Sequence, residues 1–253
     1  MLNIAMHGCN GHMGRVISTL AAASSDSQIV CGVDISAPAA DPGFPVFASL
    51  PEITVDYDVV IDFSTASAVD KLLSDCIAAR KPLVLCTTGL SDTQKQKVAE
   101  AAKEIPVFFS ANMSIGINLI TALCRKAASI LAPAGFDIEI NERHHNRKLD
   151  APSGTALAIG EALIEELGEG YYMDMGRMDR RAARDPKSIG MSAVRGGTIV
   201  GEHTVLYAGH DELIEIKHTA MSREVFAIGA INAASFLAQK GAGLYDMTKL
   251  LDA

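Results

Sequence analysis

The sequence MLNIAMHGCNGHMGRVISTL, residues 1–20, contains the strongest indication of the fold. Its first part predicts a buried strand, and its last part has the periodicity of a helix, with Val16, Ile17 and Leu20 on one face. Further strands are predicted over QIVCGVD, DYDVVIDFS, KPLVLCTTG and IPVFFSANMS, with helices around residues 67–79 and 91–103. Apolar strands that alternate with helices predict an α/β fold, in which helices cover both faces of a parallel sheet.

Three glycines, Gly8, Gly11 and Gly14, stand in the turn between the first strand and the first helix. Glycines permit a tight turn and let the backbone approach a pyrophosphate, which then lies at a helix N-terminus. Asp34 ends the second strand 20 residues after Gly14, where an acidic side chain can hydrogen-bond ribose hydroxyls. These features predict a dinucleotide site. The alternative is a plain strand-to-helix turn, with Asp34 as a turn cap.

The residue after Asp34 decides which dinucleotide we expect. Ile35 follows it, so a 2′-phosphate would meet a carboxylate with no adjacent cation. The sequence therefore favours NADH over NADPH as the cofactor, with His12 and Arg15 as charges that could compensate for NADPH.

Small polar residues also follow the fourth and fifth predicted strands, in CTTG (86–89) and SANMS (110–114). Ligands of an open α/β sheet bind outside the carboxyl ends of its strands. Both segments are therefore candidate cofactor contacts, although ordinary turn chemistry explains the same residues.

The pattern changes after about Ser114. GINLITALCRKAASILA and SGTALAIGEALIEEL predict helices, FDIEINERHH predicts a half-exposed strand, and TIVGEHTVLY and ELIEIKHTA predict a hairpin joined by AGHD. We therefore expect an inserted α+β unit with a mixed or antiparallel sheet. Residues 168–190 are polar and basic and predict a mobile loop, and SREVFAIGAINAASFLA predicts a final long helix.

The segment ERHHNRKLDAPSGTA, residues 142–156, combines three chemical functions. His144 and His145 can move protons near neutral pH and point to opposite sides if the strand continues. Lys148 adds a positive charge. Pro152 suits the first turn of a helix, whose N–H groups at residues 153–155 can bind a carboxylate. The segment predicts a site for an anionic substrate that receives a proton. Each feature alone is explained by an incidental surface pair or a helix cap.

Composition excludes other classes of protein. The formal net charge of −8 argues against nucleic-acid binding. The five cysteines are scattered and never spaced as CxxC, so we expect no metal site and a reduced, cytoplasmic environment. The sequence shows no signal peptide and no apolar run long enough to span a bilayer.

The segment E-x-H-H-x-x-K-x-D-A-P-S-G-T-A resembles the signature of the dihydrodipicolinate reductase family of lysine and diaminopimelate biosynthesis. The resemblance extends to GCNGHMG, VIDFS, TTG, SANMSIGIN, VRGGTIVGEHTV and GLYDM, and so covers essentially the whole chain. It implies a Rossmann-type, doubly wound dinucleotide-binding domain over 1–114 and 222–253, with a substrate-binding and oligomerisation domain over 115–221. It further implies reduction of the dihydrodipicolinate ring, formed from 4-hydroxy-tetrahydrodipicolinate, by hydride from NADH or NADPH, in a homotetramer.

The resemblance also assigns residues by position. His144 matches the family's proton donor, and Lys148 matches a lysine that assists catalysis and holds the substrate. The substrate-carboxylate contacts match His145, Ser153, Gly154 and Thr155. The cofactor contacts match Gly8, Cys9, Asn10, Gly11, His12, Met13, Asp34, Cys86, Thr87, Thr88, Ala111, Asn112, Met113 and Ser114.

Two positions depart from the family pattern. Cys86 stands where glycine is usual, and its side chain would crowd the nicotinamide or only alter packing. His12 stands where arginine is common, which would weaken phosphate binding or NADPH binding in particular.

Two other functions remain open at this point. A different dehydrogenase acting on aspartate, a sugar or an inositol would explain the first half but not the HH-x-x-K…SGT cluster. A non-catalytic nucleotide sensor would leave both His144 and Lys148 unexplained.

Overall fold

The computed structural model describes residues 1–36, 41–110, 112–177 and 180–251. The chain divides into two compact units. Unit 1 comprises Met1–Ile115 and Arg223–Ala253, and unit 2 comprises Gly116–Ser222. The boundaries expected from the sequence, after residues 114 and 221, each lie one residue earlier.

The two units are built from twelve strands and seven α-helices among the described residues. The strands are β1 (Leu2–His7), β2 (Ser27–Val33), β3 (Val46–Phe47), β4 (Val59–Asp62), β5 (Leu83–Leu85), β6 (Pro106–Phe109), β7 (Asp137–His144), β8 (Tyr172–Asp174), β9 (Ser188–Arg195), β10 (Gly201–Ala208), β11 (Leu213–Ala220) and β12 (Gly243–Tyr245). The helices are α1 (His12–Ala22), α2 (Val69–Ala79), α3 (Asp92–Ala101), α4 (Ile115–Leu131), α5 (Gly154–Leu167), α6 (Glu224–Leu237) and α7 (Met247–Leu251).

Unit 1 contains a seven-stranded sheet in the order β12-β6-β5-β4-β1-β2-β3. All its strand pairs are parallel, which confirms the predicted doubly wound α/β fold. The sequence analysis missed β3 and β12, because strands of two and three residues are too short to show a period.

Alternating side chains of these strands enter two different cores. On β1, Ala5 joins the core beneath α2 and α3, whereas Ile4 and Met6 join the core beneath α1 and α6. The face of α6 that contributes to this core is mostly alanine, at residues 227, 230, 233 and 234. Small side chains let this helix lie close to the sheet. Its length and hydrophobicity alone did not predict this close packing.

Unit 2 contains a five-stranded sheet in the order β11-β10-β7-β9-β8. β7 and β8 both run parallel to β9, whereas β10 is antiparallel to β7 and β11, so the sheet is mixed. Helices α4 and α5 pack on this sheet around a third core. The buried Tyr207 hydroxyl donates to the carbonyl oxygen of Cys124 at 2.6 Å, which ties β10 to α4.

The prediction of a mobile loop over residues 168–190 is wrong in part, because β8 and the beginning of β9 lie within it. The arginines that suggested a loop instead form ion pairs with acidic residues: Arg177 with Glu139, and Arg184 with Asp137. Residues 178 and 179 of this segment lie outside the described part of the chain.

No helix in the described ranges has both the length and the apolar character needed to cross a membrane.

Candidate active site and cofactor cavity

A cavity of about 440 Å³ opens in unit 1 beside the carboxyl ends of β1, β2 and β4. Four of the predicted cofactor residues line it: Gly8, Asn10, Gly11 and Asp34. Its other described lining residues are His7, Val33, Ile35, Ser36, Ala48, Phe63, Ser64, Thr65 and Ala68.

The glycines are required for the shape of the turn. Gly8 has φ +79°, and a Cβ there would lie 2.6 Å from the carbonyl oxygen of Phe63. A Cβ on Gly14 would overlap the backbone of Gly8 and Cys9. Gly11 is the N-cap of α1 and provides no side-chain hydrogen bond to the first turn. The beginning of α1 therefore suits the pyrophosphate of a dinucleotide, which the N–H groups of a helix start can bind.

Asp34 also has a structural role. Its carboxylate accepts hydrogen bonds from the backbone N–H groups of Asn10 and Ser36, both at 2.9 Å. The side chain therefore braces the glycine turn as well as lining the cavity. Dinucleotide binding and turn capping, the two alternatives from the sequence, are thus compatible.

The other predicted cofactor segments lie at the ends of β5 and β6, outside the described lining of the cavity. Cys86 is only 7% exposed and packs in the core with Val84 and Phe108, so its side chain takes a packing role. Its burial, with the nearby Asp62 carboxylate, raises the pKa of its thiol well above the usual value.

The remaining predicted cofactor residues differ in exposure. His12 and Thr88 are exposed, Met13 and Asn112 are half-buried, and Cys9, Thr87, Met113 and Ser114 are buried. Ala111 lies outside the described residues.

In unit 2, the register of the sheet assembles a cluster of charged and titratable side chains. Glu142 and His144 are two residues apart on β7 and therefore share a face of the sheet. β9 places Arg195 beside His144, and β10 places His203 beside Glu142.

Glu142 is the centre of this cluster and is only 1% exposed. Its two oxygens accept bonds from the Arg195 guanidinium at 2.6 and 2.8 Å, and one also accepts from the Ser153 N–H at 3.0 Å. Burial raises the pKa of this carboxyl, but the bonds from Arg195 and His144 outweigh burial and hold it below its usual value. Glu142 is therefore a carboxylate at neutral pH.

The carboxylate fixes the orientation of His144. The Nδ1 of His144 lies 2.5 Å from Glu142 Oε2 and must donate, because an ionised carboxylate only accepts. The other ring nitrogen, Nε2, faces Gly201, where a Cβ would approach to 3.1 Å. His144 is thus held in one orientation, with Nε2 as the atom left for chemistry.

His203 packs edge-on against His144, with ring centroids 5.1 Å apart. Burial, with a contribution from His144, lowers the pKa of His203 to about 4, so its ring is neutral at pH 7. Its Nε2 lies 3.1 Å from the Ser153 hydroxyl.

The beginning of α5 differs from the sequence prediction. Ser153 is the N-cap and accepts from the Ala156 N–H at 3.2 Å, so Pro152 precedes the cap, and placing it in the first turn was wrong. Lys148 pairs with Asp150 at 2.9 Å. Burial raises the pKa of Asp150, but Lys148 and the Gly154 N–H hold it below its usual value. The chain's own Asp150 therefore occupies Lys148, which was predicted to hold the substrate.

β7 ends at His144, so His145 follows the strand instead of alternating with it and is half-buried. Gly154 is exposed and Thr155 is half-buried at the first turn of α5. Arg143, which lies on the opposite face of β7 from His144, pairs with Glu202 at 3.7 Å.

Sequence reasoning missed four residues of this cluster: Glu142, Asp150, Arg195 and His203. The i, i+2 spacing of Glu142 and His144 was a signal that could have been used. Arg195 and His203 could be placed in the cluster only once the strand register was known.

Within the described residues, no group of three or more His, Cys, Asp or Glu side chains could hold a metal ion.

Comparison with known proteins identifies the family. Family models described as "Dihydrodipicolinate reductase, N-terminus" and "Dihydrodipicolinate reductase, C-terminus" match residues 2–113 and 116–251. The 4-hydroxy-tetrahydrodipicolinate reductase of Caldanaerobacter subterraneus subsp. tengcongensis is 48% identical over 99% of this chain and 98% of its own length.

Solved structures show the same fold. A dipicolinate-bound dihydrodipicolinate reductase from Paenisporosarcina sp. TG-14 has a TM-score of 0.79 at 24% identity, covering 97% of each chain. A myo-inositol dehydrogenase from Corynebacterium glutamicum shares the fold less closely, with a TM-score of 0.60 at 15% identity, covering 96% of this chain and 90% of its own. By sequence over both halves, the chain belongs to the dihydrodipicolinate reductase family.

Proposed function

We propose that the chain reduces the dihydrodipicolinate ring, formed from 4-hydroxy-tetrahydrodipicolinate, to tetrahydrodipicolinate, with His144 as the proton donor. Its reaction belongs to lysine and diaminopimelate biosynthesis. The observation that carries the assignment of His144 is its Nδ1 bond to Glu142, itself held by Arg195. This arrangement holds the imidazole in one orientation, with Nε2 as the nitrogen not bound to Glu142, as a positioned general acid requires.

A bound nicotinamide cofactor would supply a hydride to one ring carbon, and the electron pair of the broken double bond would move to the neighbouring carbon. His144 donates the Nε2 proton to that carbon, while the Glu142 carboxylate accepts from Nδ1 and holds the ring in place. General acid catalysis of this kind contributes roughly 10²–10⁴-fold in rate. Neutral His203 packs against His144 without adding a charge.

The substrate has two carboxylates, and dipicolinate, named in the structure of the relative from Paenisporosarcina, is also a dicarboxylate. We assign carboxylate binding to Lys148, His145 and the first turn of α5 at Ser153, Gly154 and Thr155. Asp150 pairs with Lys148 at 2.9 Å. A substrate carboxylate therefore takes the place of the Asp150 carboxylate on Lys148.

In unit 1 we assign cofactor binding to the glycine turn, to Asp34 and to the segments 86–88 and 111–114. NADH is the favoured cofactor, because Asp34 opposes a 2′-phosphate, and NADPH is the alternative. The first-turn N–H groups of α1 receive no side-chain cap from Gly11, which supports pyrophosphate binding there.

We further propose a cytoplasmic homotetramer. All five cysteines are free thiols, as in proteins of a reducing compartment. Leu213 and Ile214 on β11 are exposed apolar side chains that a subunit contact would cover. A monomer at micromolar concentration in light scattering would contradict the tetramer.

The test is a coupled assay, in which the upstream synthase generates the substrate and nicotinamide absorbance is followed. We expect rapid oxidation of NADH by the wild-type protein. The double variant His144→Gln with Lys148→Gln should lose turnover and retain NADH binding. Equal turnover by this variant would refute the catalytic assignment. Cofactor binding without any turnover in the wild type would favour a sensor.

A further inference from the structure

A second buried carboxylate, Asp62 at the end of β4, has no role in the function proposed above. It is 0% exposed and accepts three hydrogen bonds. These come from His7 Nδ1 at 2.6 Å, the Thr87 hydroxyl at 2.6 Å and the Ser64 N–H at 3.1 Å. Because a carboxylate that accepts from every side cannot itself donate, His7 Nδ1 is the donor.

His7 is the last residue of β1, directly before the glycine turn, and it lines the cavity of unit 1. Its side chain is 15% exposed. Since Nδ1 is directed at Asp62, the opposite nitrogen, Nε2, is the polar atom that His7 can offer to a ligand in the cavity.

The charges around the cavity indicate what His7 can contribute to ligand binding. Among its described lining residues there is no lysine or arginine, and Asp34 adds a negative charge. Cys9, in the same turn, is neutral, because burial and Asp34 raise the pKa of its thiol to about 11. His12 and Arg15 are exposed on α1 and do not belong to the described lining. His7 is thus the described lining side chain that can carry positive charge toward a dianionic pyrophosphate.

We propose that His7, oriented by Asp62, donates from Nε2–H to a phosphate of the bound dinucleotide and supplies the positive charge that the cavity otherwise lacks. The inference rests on the proposed function only in placing the dinucleotide in this cavity. The Asp62–Thr87 bond also connects this histidine to the turn after β5, so one buried carboxylate braces two predicted cofactor segments.

The first experiment measures the Kd of NADH by fluorescence between pH 6 and 8. Binding coupled to proton uptake on Nε2 should weaken as pH rises, by about tenfold in total, because charge-assisted bonds are stronger than neutral ones. In His7→Gln we expect Kd to rise about tenfold at pH 6 and its pH dependence to disappear. The glutamine amide can still donate to Asp62, which protects the fold.

Two control variants make the result specific. His210→Gln replaces an exposed histidine between β10 and β11 and should bind NADH as the wild type does. His12→Gln should keep the pH dependence. If the dependence disappears in His12→Gln but persists in His7→Gln, the inference is overturned.

A measurement on the wild type covers the case in which His7→Gln does not fold. The ¹⁵N chemical shifts of the His7 ring should move toward the doubly protonated form when NADH is added at pH 7. Unchanged shifts under saturating NADH would refute the role of His7. A wild-type protein that binds no NADH at all would instead refute the proposed cofactor site.

Discussion

The two helix starts that were predicted to bind anions are built in opposite ways. Helix α1 begins at Gly11 without a side-chain cap. Helix α5 begins at Ser153, whose hydroxyl caps the first turn by accepting from the Ala156 N–H. The first helix start therefore leaves its N–H groups to a ligand, whereas the second is partly satisfied by the chain's own side chain.

The two units build their sites by different means. Unit 1 uses backbone and small side chains, and its tightest requirements are steric, at Gly8 and Gly14. Unit 2 uses charges that are already paired, with Glu142 at the centre and Lys148 held by Asp150. Substitutions that add bulk should therefore damage the site in unit 1, whereas substitutions that change a charge should damage the site in unit 2.

The largest effect should come from Glu142→Gln. This change weakens the acceptor of His144 Nδ1 and leaves the Arg195 guanidinium without its carboxylate. We expect kcat to fall about 100-fold and the free energy of unfolding to fall by about 3 kcal/mol. The coupled assay and urea denaturation measure the two effects.

Glu202→Gln is the matched control on the neighbouring strand, where the carboxylate pairs with the surface residue Lys217. It should change kcat less than about twofold, because Glu202 lies opposite Arg143, on the other face of the sheet from Glu142 and His144. Equal losses in the two variants would show that Glu142 has no special part in turnover.

The next effect should be steric. Gly14→Ala brings a Cβ into the backbone of the glycine turn and should lower the free energy of unfolding by about 1–3 kcal/mol and weaken NADH binding. Gly154→Ala tests the other helix start, because nothing lies within 4 Å of its Cβ. Its stability should change by less than about 0.5 kcal/mol. Thermal unfolding and NADH titration measure both variants, and equal destabilisation would contradict the steric difference.

A smaller effect should follow from Asp34→Ser, which removes the charge that opposes a 2′-phosphate. We expect the ratio of kcat/KM for NADH to kcat/KM for NADPH to fall about fivefold, as for the loss of about 1 kcal/mol between two charges that water screens fully. Serine can still accept from the Ser36 N–H. An unchanged ratio would show that Asp34 acts only as a brace of the turn.

The smallest effect should come from Asp150→Asn. A neutral side chain competes less well for Lys148, so the KM for the substrate should fall about threefold.

The same substitution should change how the stability of the protein depends on pH. The folded-state pKa of Asp150 is lowered, so its stabilising contribution is present above its ordinary pKa of about 4 and disappears as the pH falls through the lowered value. Acid unfolding of the wild type should therefore be steeper than that of the variant, and a raised KM would contradict the competition.

The predictable parts of the molecule are those encoded by neighbours in sequence. The glycine turn, Asp34 and the signature histidines lie in short stretches, and the fold they indicated is present. The Glu142–Arg195 pair could not be found this way, because it depends on the parallel register of β7 and β9, which are 53 residues apart at that contact. β8 was missed because it has only three residues and lies among charged side chains, which the Arg177–Glu139 and Arg180–Asp174 ion pairs neutralise.

The discontinuity of unit 1 has a consequence for the order of events during synthesis. The ribosome makes Gly116–Ser222 before it makes α6 and β12. Until then, Ile4, Met6, Ile61 and Phe108 lack the alanine-rich helix that covers them, and β6 lacks its outer neighbour. Synthesis proceeds at about 5–20 residues per second, so this apolar face stays uncovered for on the order of ten seconds. Unit 2 can therefore fold first, while the nascent unit 1 is the part that a chaperone would bind.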